Sequence, residues 1–206
     1  MRFLLLLLLA AFAPFLGLAQ AEFVPGTYEL TDGTKGTGLL NYETGFKAKL
    51  LVKDSAADPT GKASKKGQAY SPEQLRSFDL GSDHYVKLHS IELDFNMGKS
   101  TKKDDFAKVL ETGKLELLHY QVFYVERGAF ANGMGNRSRE NMMVYLLRWP
   151  GEDKATMIPN GRKYKEMLAH FFASRPDLVK KLDTPLKSPA EYYLLIRTLV
   201  QQYNAG

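Results

Sequence analysis

Two histidines and two carboxylates are the residues of this sequence with the clearest chemical potential. His89 and His119 fall in segments that predict β-strands, and Glu92 and Asp94 follow His89 closely. Together they could hold a metal ion or act as general acid and base, which keeps a hydrolase acting on glycan or peptide as an alternative. The ligand spacing of a metal site is missing, and strand alternation places both carboxylates on the solvent side. We therefore predict no catalytic residue, no metal site and no cofactor.

A second group of residues is basic and lies between the predicted strands. We expect residues 54–69, 96–105 and 127–140 to form loops that project from one end of the molecule. Each loop carries more Lys and Arg than Asp and Glu, and the basic residues are Lys62, Lys65, Lys66, Lys99, Lys102, Lys103, Arg127, Arg137 and Arg139. Such a cluster could bind an anionic glycan, lipid headgroups at a membrane surface or an acidic envelope protein. Charged loops also keep domains in solution without binding anything.

Composition and missing motifs exclude several classes of function. The 206 residues include no cysteine, which excludes disulfides, cysteine zinc sites, cysteine nucleophiles and iron–sulfur clusters. Neither the G-x-S-x-G elbow of serine hydrolases, the H-E-x-x-H zinc motif nor the phosphate-binding loop occurs. The excess of 28 Lys and Arg over 23 Asp and Glu is mild. It is not the footprint of a protein that binds nucleic acid.

The N-terminus has the pattern of a secretory signal peptide. Arg2 precedes an apolar run with six consecutive leucines, and residues 19–21 read Ala-Gln-Ala, the form of a cleavage site. Pro14 and Gly17 interrupt the run, which argues against a transmembrane anchor. We expect residues 1–21 to be removed, and the remaining chain to be periplasmic or secreted with no transmembrane segment.

Hydrophobic periodicity predicts a β-rich region over residues 22–150. Turn residues at Asp32-Gly33 and Thr112-Gly113 indicate two hairpins, and a change of apolar face near His89-Ser90 indicates a bulge or bend. A capped helical turn is expected at residues 71–74. Strands in sequential order favour a meander.

The period changes in residues 151–206, where three amphipathic helices are predicted. The last of them begins with Ser188 and carries Glu191 three residues later, which is a capping pair. We therefore expect an α+β protein. Its sheet would be an antiparallel β-meander or a partly closed barrel-like sheet, followed by a three-helix C-terminal cap that packs on it in one compact domain.

The chain resembles a group of uncharacterised exported proteins of Bacteroidota-type bacteria. The segments that carry the resemblance span nearly all of the chain after the signal peptide. They are Thr31-Asp32-Gly33 with residues 36–42, residues 70–78, Phe106 with Val109-Leu110, Gly113-Lys114, Leu118 with Tyr120, residues 164–172 and 176–182, and Tyr203-Asn204. The group often has Cys-Pro where this chain has Arg175-Pro176. The resemblance implies an exported location and this fold, and it implies no activity.

Three functions remain open at this point. The first is a non-enzymatic exported module that binds an envelope component or a partner protein through the basic loops. The second is the hydrolase, which requires one deep pocket that joins His89, His119, Glu92 and Asp94. The third is a structural subunit of an envelope complex, for which the apolar stripe within residues 192–203 would be a docking face if it is exposed.

Overall fold

The computed structural model describes residues 23–45, 47–53, 67–95, 98–127, 137–159, 163–185 and 188–206. Within them the strands are β1 (Val24–Leu30), β2 (Lys35–Glu43), β3 (Lys49–Lys53), β4 (Gln68–Tyr70), β5 (Leu75–Leu80), β6 (Asp83–Phe95), β7 (Gly98–Glu111), β8 (Glu116–Arg127), β9 (Arg137–Arg148) and β10 (Lys154–Met157). The helices are α1 (Lys163–Phe171), α2 (Pro176–Lys181) and α3 (Pro189–Ala205). This composition confirms the predicted α+β class. The expected signal peptide lies outside the described residues.

All ten strands belong to one sheet. Its order is β10-β9-β8-β7-β6-β5-β1-β2-β3-β4, and β10 also pairs with β6. Strands β6 to β10 therefore close into a five-stranded barrel, and β1 to β5 form an open extension of it. The closing pair, β10 with β6, is parallel. The predicted barrel-like sheet is confirmed, although the four-residue strand that closes it was not predicted from the sequence.

Strand β6 is the place where the sheet divides. Its first part pairs with β5 and its later part with β10. Between these parts, the N–H groups of His89 and Ser90 both donate to the carbonyl oxygen of Asp153, at 2.9 and 3.1 Å. Leu88 and Ile91 are both fully buried, so the inward face changes parity here. The change of apolar face that the sequence indicated coincides with this exchange of partner strands.

The predicted hairpin at Asp32-Gly33 is confirmed and joins β1 to β2. Gly33 has a φ of +87°, a conformation that costs glycine little. The Thr34 N–H donates to the Asp32 carboxylate at 2.8 Å, which satisfies a backbone group of the turn.

Residues 71–74 form a turn that leads directly into a strand. The Ser71 N–H donates to the side chain of Gln74 at 3.0 Å, the contact that the capping pattern predicted. A single hydrogen-bonded turn is present, with the Gln74 N–H donating to the Ser71 carbonyl at 3.0 Å, and β5 follows it at once. Leu75 and Phe78 are buried although they are three residues apart, since the pairing of β1 with β5 shifts register at Leu30. That irregularity hides the period of two that would have predicted β5.

The predicted loops 96–105 and 127–140 are largely strand. Residues 98–105 belong to β7, residue 127 ends β8, and residues 137–140 begin β9. In the remaining predicted loop, 54–69, residues 68 and 69 belong to β4. The long arms of these hairpins contain few apolar residues, so their sequence carries no strong period of two. They are strands because each pairs with a neighbour along its whole length.

Three apolar clusters form the core. One fills the barrel and receives side chains from all five of its strands. A second lies between the β1–β5 extension and the barrel, with Phe78 and Phe106 in contact at 4.9 Å between ring centroids. The third joins the helices to Leu117 and Leu147, on β8 and β9. The helices therefore cover one end of the barrel.

Candidate functional site

Strands β7 and β8 pair over a much shorter distance than their neighbours do. Within the described part of the chain, they pair only from Lys108↔His119 to Glu111↔Leu117. The β6–β7 pair continues to Gly98, and the β8–β9 pair to Arg127. The barrel wall therefore opens between residues 98–107 of β7 and 120–127 of β8. We call this opening the fork.

A buried carboxylate lies at the inner end of the fork, where β7 and β8 begin to separate. Asp105 on β7 is only 3% exposed. Its two oxygens accept hydrogen bonds from the hydroxyls of Tyr42, at 3.0 Å, and Tyr120, at 2.9 Å, and the Phe106 N–H donates to it at 2.8 Å. The Lys102 ammonium lies 3.8 Å away. Burial of a charge is costly unless it is paired and hydrogen-bonded, and these contacts meet that requirement.

The two tyrosines that contact Asp105 are held in their protonated form at neutral pH. Burial, followed by the charge of Asp105, raises the pKa of both Tyr42 and Tyr120 above the ordinary value. Both phenols therefore stay protonated and act as hydrogen-bond donors. Tyr42 lies on β2, Asp105 on β7 and Tyr120 on β8, so the cluster ties the open extension to both sides of the fork.

A small cavity of about 80 Å³ adjoins this cluster. Lys108 and His119 line it together with the Tyr42–Asp105–Tyr120 cluster. Burial lowers the pKa of His119, and the charge of Lys108 lowers it further. The imidazole is therefore neutral at pH 7. Its ring stacks on Tyr145 at 5.2 Å, which holds it against the outer face of the barrel.

The histidines and carboxylates that could form a hydrolase site are held apart. His89 lines a groove of about 450 Å³ together with other residues of β5 and β6 and with Arg148 and Asp153. Glu92 and Asp94 line a second groove of about 430 Å³ beside α1, and His119 lines the small cavity. β7 lies between the strands of the two histidines. Over the described ranges, no three His, Asp or Glu side chains could share a metal ion.

Two of these groups are engaged in ion pairs. Asp104 accepts from His89 at 2.9 Å and lies 3.3 Å from the Lys87 ammonium. Desolvation raises the pKa of Asp104, but the bonds from His89 and Lys87 outweigh it and hold the pKa below its ordinary value. Glu92 pairs with Lys154 at 2.7 Å. These contacts stabilise the barrel surface, and in the described part of the chain His119 and the His89, Glu92 and Asp94 side chains line different cavities.

The basic residues proposed from the sequence fall into three groups. Lys62, Lys65 and Lys66 lie outside the described residues. Lys99, Lys102 and Lys103 lie on β7, in the arm beside the fork, and Arg127, Arg137 and Arg139 lie on β8 and β9. β6 and β8 both run antiparallel to β7, so the β6–β7 and β8–β9 connections are at the same end of the barrel.

The register of β8 and β9 places the three arginines on one face of the two-stranded ribbon. Arg127 is directly opposite Arg137, and Arg139 is two residues further along β9. Glu126 and Glu140 occupy positions of the other parity, so they fall on the opposite face. The end of this ribbon therefore has a basic face and an acidic face.

The apolar stripe of α3 is buried. Ile196, Leu199 and Val200 are fully buried against the barrel, and the hydroxyl of Tyr192 donates to the carbonyl of Pro159 at 3.0 Å. This face is therefore occupied within the molecule itself. The structural-subunit hypothesis loses the docking face on which it depended.

Sequence reasoning missed the residues at the inner end of the fork. Asp105 was placed in the expected loop 96–105, whereas its side chain is only 3% exposed. One signal was present: Tyr120 has inward strand parity, and a buried tyrosine hydroxyl needs a partner. Nothing in the sequence names Asp105 and Tyr42 as those partners, because Tyr42 is 63 residues from Asp105.

No helix in the described ranges is long and apolar enough to cross a bilayer. Comparison of the chain with protein-family models, with curated proteins and with solved structures found no match.

Proposed function

We propose that this protein is an exported, non-enzymatic module that binds an anionic component of the cell envelope. The binding surface would be the end of the barrel where the β6–β7 and β8–β9 hairpins carry their basic residues. The signal-peptide pattern and the resemblance to exported proteins support the location. The observation that carries the proposal is the register of β8 and β9, which puts Arg127 directly opposite Arg137, with Arg139 two residues further along β9.

The arrangement of the arginines favours an anionic ligand. Like charges at directly opposed positions destabilise a pair of strands, and Arg127 and Arg137 occupy such positions. Along this face, from His119 to Arg127 and from Arg137 to Tyr145, no residue is acidic. A bound anion would relieve the repulsion, so ligand binding and hairpin stability would support each other.

The direct test is binding of the purified chain to immobilised dextran sulfate over a range of salt concentrations. We expect the triple variant Arg127→Gln, Arg137→Gln, Arg139→Gln to bind at least about tenfold more weakly than the unchanged chain, and binding to weaken as salt increases. The matched control is Lys114→Gln, Lys163→Gln, Lys180→Gln, which removes the same charge from exposed positions elsewhere.

The control decides whether the surface is specific. Equal losses in both triple variants would mean that net charge alone governs binding, which would overturn the proposed surface. Undiminished binding of the arginine variant would overturn it as well. Loss confined to the arginine variant supports it.

A further inference from the structure

The arm of β7 beside the fork has a strand edge without a partner in the described structure. From Ser90↔Lys103 to Phe95↔Gly98, residues 98–103 pair regularly with β6. On their other side, β8 is separated from β7, and no described strand pairs with residues 98–103. We call residues 98–103 the β7 edge. Its free backbone groups can accept a further strand.

The β7 edge has a defined length. At its inner end Asp104 has a φ of +44°, which interrupts the extended conformation. Beyond it, the Phe106 N–H is taken by the Asp105 carboxylate and is no longer available to another strand. Six residues at about 3.3 Å each give an edge of about 20 Å. That length accommodates an extended peptide of five or six residues.

The charge of the β7 edge selects among the strands that could pair with it. Lys103 is exposed and has no acidic group within ion-pair distance in the described part of the chain. Lys99 and Lys102 lie on the same segment. Asp105 lies 3.8 Å from Lys102, and Asp94 is directly opposite Lys99 in the register. Asp104, the acid next to Lys103, is engaged with His89 and Lys87. Lys103 therefore carries the charge of the edge that no described acid offsets.

Lysines on an open edge discourage pairing with another copy of the same edge. They favour a strand of opposite charge. Charge and hydrogen-bonding geometry therefore specify the same kind of partner.

We propose that the β7 edge binds an extended acidic peptide segment of a partner protein by strand addition across the mouth of the fork. Main-chain hydrogen bonds supply the affinity, and Lys103 supplies the selectivity for acidic side chains. This inference rests on the proposed function and deepens it, because it identifies the anionic ligand as a protein segment.

The test uses a fluorescent peptide of about ten alternating glutamate and valine residues, with anisotropy as the readout. Two further peptides carry the same charge, one N-methylated on every valine and the other on every glutamate. Alternate residues of an added strand bond to the edge, so we expect one methylated peptide to lose at least about tenfold in affinity and the other to keep it.

Lys103→Glu tests the selectivity on the protein side. The side chain is exposed, so the fold is retained, and circular dichroism checks this. We expect at least about a tenfold loss of peptide affinity. Lys180→Glu, an exposed residue of α2, is the matched control and is expected to change affinity less than about twofold.

Each outcome separates the two proposals. Equal binding of all three acidic peptides overturns strand addition but is compatible with anion binding. No peptide binding, with dextran sulfate binding intact, overturns the protein partner and keeps the proposed function. Loss of both overturns both. One methylated peptide failing together with Lys103→Glu supports the inference.

Discussion

The two ends of the barrel differ in how tightly the rest of the chain packs on them. At the end covered by the helices, which we call the base, the turn between β7 and β8 is held by the C-terminal helix. The Leu115 N–H donates to the Asn204 side chain at 2.8 Å, and the Asn204 amide donates to the Leu115 carbonyl at 2.9 Å. Gly113 has a φ of +147°, and a Cβ on it would collide with Asn204. The base is therefore tightly packed.

The fork end has no such cover in the described structure. Leu117 and Leu147 are buried under the helices, whereas Gln121 and Met143, further along the same ribbon face, are half-buried and 48% exposed respectively. β7 and β8 pair beneath the helices and separate beyond them. The β7–β8 ladder therefore coincides with the part of the sheet that the helices cover. The uncovered end is free to carry charge.

The largest expected effect is at the base. Phe172→Ala should lower the free energy of unfolding by about 3–5 kcal/mol, because Phe172 is fully buried and its removal leaves a cavity among the helices. Urea denaturation followed by circular dichroism measures this. Leu194→Ala, which truncates a residue that is 59% exposed on α3, should change stability by less than about 0.5 kcal/mol. A similar loss in both variants would contradict the distinction between buried and exposed helix faces.

A smaller loss is expected at the fork. Asp105→Asn should cost about 1–3 kcal/mol, because a carboxamide has a single oxygen and leaves one of two tyrosine hydroxyls without its acceptor. Denaturant unfolding of Asp105→Asn, Tyr120→Phe and the double variant measures the coupling. If the two single losses simply add, Asp105 and Tyr120 do not stabilise the fork together.

The smallest effect is a pH dependence at the small cavity. The folded protein lowers the pKa of His119 below its unfolded value of about 6.5, so the unfolded state binds the proton more tightly. The contribution of His119 to stability is therefore present above the unfolded pKa and is lost as pH falls below it. Unfolding measured between about pH 7.5 and pH 5 should show a weaker decline for His119→Gln than for the unchanged chain.

A matched substitution checks that result. His170→Gln removes an exposed histidine of α1 and should leave the decline in place. An unchanged decline in His119→Gln would show that other groups are responsible for the pH dependence.

The sequence predicted the base better than the fork. The helices are amphipathic with clear periods, and the N-terminal cap of α3 is as expected, with the Glu191 N–H donating to Ser188 at 3.2 Å. The long hairpins were recognised where apolar residues alternate. Their outer arms were interpreted as loops because Lys, Arg and Asp conceal the period of two.

The sequence predicted which basic residues belong to the candidate site but not how they are arranged. The basic residues of β7, β8 and β9 were identified by composition, but their faces depend on a register that only strand pairing defines. The acidic and histidine residues looked like one site because His89 and His119 could lie on neighbouring strands. In the structure β7 lies between the strand of His89, Glu92 and Asp94 and the strand of His119, and local contacts engage His89 and Glu92.

Local periodicity and turn chemistry were enough to predict the α+β class, the order of strands before helices, the β1–β2 hairpin and the amphipathic helices. The separation of β7 from β8 appears only in the folded barrel. Long-range pairing closes β10 against β6 and buries Asp105 between Tyr42 and Tyr120. Such pairings join segments far apart in the chain. Their stability comes from contacts and burial that exist only once both segments are in place, so no local pattern encodes them.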